Sequence, residues 1–145
     1  MSHLSLRKLI EDNIHAIHDD VQYTYGTETD FNVQQVTKMF LVHTDPLVAS
    51  STYADNQVNN YVKAWSVSMV FAMIDEHSNL GYAVILDKTD NLVDRFINRF
   101  NLADGLLLSG IGQEPFIKGY ANSLSGYILT FTATLNDDFD YCDDC

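Results

Sequence analysis

The sequence predicts an α+β fold: a largely antiparallel sheet with two amphipathic helices packed on one face. Three observations lead there. From Trp65 to Met73 one side reads Trp65, Val67, Met69, Phe71, Met73. From Tyr127 to Leu135 it reads Tyr127, Leu129, Phe131, Ala133, Leu135, with Thr130, Thr132 and Thr134 opposite. A period of two with aromatic and β-branched residues marks strands that lay one face on a core. Two other stretches repeat their apolar residues every three or four positions, the mark of helices with a buried stripe. These helical and extended stretches are segregated along the chain, not regularly alternating, which fits α+β better than α/β.

The first helix carries Leu6, Leu9, Ile10, Ile14, Ile17 and Val21 on its stripe, with Ser2 or Ser5 as its cap. Gly26 follows that pattern, and Thr27 to Asn32 reads as a polar connection. A strand is expected through Lys38–Val42, interrupted at His43-Thr-Asp-Pro46 because proline has no N–H to give a ladder. Ser50 to Asn60 is polar throughout and reads as a long mobile hairpin loop feeding a strand at Tyr61–Ile74. The second helix places Leu92, Val93, Phe96, Ile97 and Phe100 on one face, with Asp87, Thr89 or Asp90 as caps and Gly105 beyond its end. Gly105–Gly112 is a short apolar segment in which Gly110-Ile-Gly112 signals a turn. Phe116–Tyr120 and Tyr127–Leu135 then pair as a hairpin through Asn122–Gly126. The expected core is Leu6, Ile10, Ile14, Ile17, Trp65, Val67, Met69, Phe71, Phe96, Ile97, Phe100, Leu129 and Phe131.

The chain has 145 residues, suited to one domain, read here as residues 1–136 followed by an acidic tail at 137–145. Its net charge of −12 is the compositional outlier. Without the five tail aspartates, fifteen acids still face eight bases. The bases are scattered (Arg7, Lys8, Lys38, Lys63, Lys88, Arg95, Arg99, Lys118), so sequence-specific nucleic-acid binding and an anionic membrane are not expected. Apolar runs are too short to span a bilayer, and the start lacks a secretory leader pattern, so a soluble intracellular origin is expected.

Candidate chemistry is sparse. His15 and His18 stand three apart, but no Glu lies between them at the His-Glu-x-x-His spacing, and helix surface or edge packing explains them. Cys142-Asp-Asp-Cys145 lacks the helix-opening context of a redox pair, and its aspartates oppose a thiolate; two free thiols are expected. Asp138 and Asp140 alternate as calcium ligands do, but the glycine and distal glutamate of an EF-hand loop are missing. Expected are no catalytic residues, no cofactor, no metal and no enzymatic activity. The long loop and the tail are the expected partner-binding segments, with Tyr53, Asp55, Asn56, Asn59, Phe139 and Tyr141 as contact residues. A purely solvating tail seldom carries aromatics, so Phe139 and Tyr141 argue for docking on a basic neighbour.

The block Trp65-Ser-Val-Ser-Met-Val-Phe-Ala-Met73, a polar turn, and Asp87 through Phe100 resemble the strand–loop–helix centre of bacteriophage tail-terminator and head–tail joining proteins. In that group a final strand like Tyr127–Leu135 completes the sheet. The ending Asn-Asp-Asp-Phe-Asp-Tyr-Cys is similar to structural proteins of crAss-like phages. The resemblance implies a ring of identical subunits at a virion neck or tail, their sheets joined edge to edge, with other neck and tail proteins as neighbours, lining or closing a DNA conduit. The competing expectation is a small adaptor that captures a protein partner through its sheet edge or acidic tail.

Overall fold

A computed structural model describes residues 3–26, 38–53, 61–74, 82–101, 106–119 and 124–135. In chain order they form α1 (His3–Ile17), β1 (Val21–Tyr25), β2 (Phe40–Thr44), β3 (Val48–Tyr53), β4 (Tyr61–Ile74), α2 (Tyr82–Phe100), β5 (Leu106–Gly119) and β6 (Leu124–Leu135). The six strands make one sheet in the order β1-β2-β4-β6-β5, with β3 also paired to β4. Every pairing is antiparallel except β1 with β2. Both helices lie on one face, giving the expected α+β class.

β4 is the spine. It pairs with the whole length of β6, from Lys63↔Leu135 to Ile74↔Leu124. On its other edge β2 and β3 lie end to end, Thr44 opposite Met69 and Val48 opposite Ser66. Three residues, Asp45 to Leu47, therefore face two on β4. Pro46 sits in that break, where no ladder donor is required, and the Asp45 N–H donates to the Ser68 carbonyl at 2.9 Å.

The core lies between the helices and the helix-facing side of the sheet. Leu6, Ile10 and Ile14 of α1 meet Ile85, Val93, Phe96 and Phe100 of α2, together with Trp65, Met69, Phe71, Leu129 and Phe131 from the sheet. Phe96 stacks on Phe100 at 5.0 Å, and their rings approach Phe71 at 5.7 Å and Phe131 at 5.8 Å. All thirteen residues of the expected core join this cluster, with Ile17 and Ile97 half-buried at its margin. A second small cluster, Leu41, Val70, Ala72 and Leu124, is buried on the opposite face with Phe116 and Ile128 against it. The rest of that face is a plate of small polar residues, including Ser66, Ser68, Thr130, Thr132 and Thr134.

Several expectations are corrected. The first helix stops at Ile17, and Val21, placed by its spacing on the helical stripe, instead opens β1. Ser5 lies inside α1 and does not cap it. β2 runs on through His43 and Thr44, past the expected interruption. Ser50–Tyr53, expected in the mobile loop, belong to β3 and pair with Ala64–Tyr61. Asp87, Thr89 and Asp90 are interior to α2, which begins five residues before Asp87, at Tyr82. The Thr89 hydroxyl is buried and donates back to the Ile85 carbonyl at 2.9 Å, so it serves the helix interior. Gly110-Ile-Gly112 is a bulge, not a turn: Ser109 pairs Thr132 and Gly112 pairs Thr130, so two residues oppose one. Gly110 adopts φ +61°, the left-handed conformation glycine reaches without strain. Leu124, Ser125 and Gly126, expected in the hairpin connection, are in β6.

Candidate interaction surface

Of the sequence-predicted contact residues, Tyr53 closes β3 opposite Tyr61. Asp55, Asn56, Asn59, Phe139 and Tyr141 lie outside the described residues, as do the Cys142-Asp-Asp-Cys145 pair and the acidic tail. His15 is exposed on α1, with Nε2 3.7 Å from Glu11. His18 lies just past the helix end, where its Nδ1 accepts from the Asp20 N–H at 3.0 Å and its ring meets Phe40 edge-on at 5.0 Å. The two histidines do not converge, and among the described residues no cluster of His, Cys, Asp and Glu could hold a metal.

Among the described residues His43 is the buried imidazole. It projects from β2 beside Leu41, on the face away from the helices, with only 2% of its surface exposed. Its Nε2 lies 2.9 Å from the Gly26 carbonyl, which can only accept, so that nitrogen carries the proton. Nδ1 then accepts from the Thr24 hydroxyl at 2.6 Å. Asp45 stands 3.5 Å from Nε2. Hydroxyl, imidazole and carboxylate are in sequence, but the backbone carbonyl takes the N–H that a carboxylate would have to orient in a nucleophilic triad. The set ties β1 to the turn after β2. On the helix side of the same strands the Tyr23 hydroxyl donates to Thr44 Oγ1 at 3.0 Å, and burial pushes its pKa up to about 12. The Leu47 N–H donates to the Tyr25 hydroxyl at 3.1 Å, while the Arg7 guanidinium lies 4.5 Å above the Tyr25 ring.

Among the described residues, two surfaces are open to partners. The first is the β5 edge. β5 is 14 residues long and ends the sheet, paired among the described residues only with β6. Leu107, Ile111 and Ile117 along it are 64%, 49% and 51% exposed. Its outer half is blunted by the bulge at Gly110, a second irregularity between Phe116 and Gly119, and Pro115. The run Leu106–Ser109 is regular and keeps its ladder groups presentable.

The second is a cleft of about 190 Å³ between α2 and the start of β2, lined by His18, Met39, Phe40, Lys88, Asn91, Leu92 and Arg95. Phe40 and Leu92 are buried and floor it, while Lys88, Asn91 and Arg95 rise from one face of α2 at spacings of three, four and seven. Its volume lies below the roughly 300–1,000 Å³ of small-molecule sites, so it suits one or two side chains of a partner. Sequence reasoning sees Lys88 and Arg95 among scattered bases; their seven-residue separation on a helix was the available signal that they share a face. No protein-family model and no curated protein matches this chain.

Proposed function

We propose that the chain is a structural subunit of a bacteriophage virion, a neck or tail ring component at the head–tail junction. The observation that supports this most is the edge of β5, where the regular run Leu106–Ser109 carries the exposed Leu107, opposite a second edge that β1 and β3 make among the described residues. A sheet with two unlike edges pairs head to tail, and head-to-tail contacts close into rings when the rotation permits. The net charge of −12 suits a conduit that must release DNA, since a surface without clustered bases gains little from phosphates. The ring subunit would act by shape and pairing with no catalytic step, in the virion assembled in the host cytoplasm, among neighbouring neck and tail proteins.

Substituting Leu107 tests the edge. Leu107→Lys adds charge where 64% of the side chain is exposed, so folding stability should move by no more than about 0.5 kcal/mol. Self-association should fall, because a lysine on an edge opposes further pairing. Unchanged assembly would remove the β5 edge from the account. An adaptor using that edge for a foreign partner would instead be monomeric both with and without the substitution.

A further inference from the structure

We infer that the cleft between α2 and β2 receives the acidic segment Asp137–Cys145 of a second copy of this chain. The inference rests on the self-assembly reading and names a contact within it. The cleft joins two properties that the segment complements, a basic wall and an apolar floor. Lys88 and Arg95 are exposed, and neither is in an ion pair with any described residue. Two of the eight basic residues of a chain with net charge −12 thus line one small depression, and a third, the exposed Lys38, precedes the rim residue Met39 in the chain. Beneath them Phe40 and Leu92 give an apolar floor, with Met39 38% exposed at its edge.

The segment reads Asp137-Asp-Phe-Asp-Tyr-Cys-Asp-Asp-Cys145: two aromatics at alternate positions, set among five aspartates. Extended, it would turn Phe139 and Tyr141 to one side and flank them with carboxylates. The aromatics would fill the floor, and the carboxylates would meet Lys88, Arg95 and Lys38. Asp19 and Asp20 lie exposed just past His18, so the rim on that side is acidic; the cations of α2 form the other wall and set which way the segment lies.

The register decides between the chain's own segment and a neighbour's. Phe40, in the cleft, pairs with Met73, whereas Leu135, from which the segment departs, pairs with Lys63. Ten residues along β4 separate these positions, about 33 Å at a strand's rise. Phe139 and Tyr141 follow Leu135 by four and six residues, a reach of at most roughly 14 and 22 Å for a fully extended chain. The aromatics therefore fall short of their own cleft and must enter another copy's.

The test titrates a fluorescently labelled peptide of residues 136–145 into the full chain carrying Leu107→Lys, which separates the cleft from the edge. Saturable binding is expected, weakened at least about tenfold by Lys88→Glu with Arg95→Glu, and similarly by Phe139→Ala with Tyr141→Ala in the peptide. Lys88→Ala with Arg95→Ala gives a second, gentler removal of the same charges should the reversal disturb folding. No binding, or equal binding by the charge-reversed protein, overturns the inference. So does equal binding of the peptide without aromatics, which would show bare charge attraction. Full-length chains that assemble normally yet do not bind the peptide would refute this contact and spare the ring reading. Peptide binding by chains that never assemble would refute the contact between copies together with the ring.

Discussion

Gly126 shows how tightly single positions are set. A Cβ added there would stand 1.9 Å from the Phe71 carbonyl oxygen and 2.9 Å from Ala72 Cα, both backbone atoms that cannot move without separating β4 from β6. Gly126→Ala should destabilise by about 3 kcal/mol, the upper end for overpacking, as read by urea unfolding. Gly110 differs: its site is open but its φ is +61°, so Gly110→Ala should cost only about 1–2 kcal/mol of backbone strain. Equal losses at the two would contradict this ranking. Tyr23 carries a pH signature. Its folded pKa lies above the ordinary 10.0, so the folded state holds the proton more tightly than the unfolded chain. The associated stability is fully present below about pH 10 and is lost as pH rises through about 12. Unfolding midpoints should drop less across that interval in Tyr23→Phe than in the parent; parallel slopes would assign the loss to other groups.

At the scale of elements, α2 owes its place to the ring cluster it delivers onto β4 and β6. Phe96→Ala removes a fully buried ring that stacks on Phe100 and leans on Phe71, and should cost about 3–5 kcal/mol in thermal or denaturant unfolding. A loss below about 1 kcal/mol would mean that the sheet and helix collapse to refill the space. The elements also differ in how readable they are in the sequence. β4 and most of β6 are legible because one face is core along their length while the other carries Ser66, Ser68, Thr130, Thr132 and Thr134, so apolar and polar residues alternate over those stretches. β1 is hidden because Val21 lies four residues after Ile17 and continues the helical spacing, although Tyr23 and Tyr25 alternate with it. β3 is hidden because its sequence, Val-Ala-Ser-Ser-Thr-Tyr, shows no alternation of apolar and polar residues; its pairing with β4 is a long-range feature that no local pattern states. The first two turns of α2 are hidden by Val84 and Ile85, residues of poor helix propensity that tertiary packing of Ile85 overrides.

For the whole molecule, the class was readable because two helices and a one-faced sheet leave few ways to bury their stripes. The partner surfaces were less so. A cleft floored by Phe40 and Leu92 depends on residues far apart in the chain, one on β2 and one on α2, coming together, which no local pattern states. The exposed edge of β5 depends on strand order, which places this late strand at the margin beside β6. The central claim is that copies of this chain join one another through that edge. Its most direct measurement is the native mass of the full chain over a wide concentration range. The account predicts a discrete, closed multiple of the 16.4 kDa subunit at high concentration, shifted toward the single subunit by Leu107→Lys. A 16.4 kDa species at every concentration, identical in the parent and in Leu107→Lys, would contradict it.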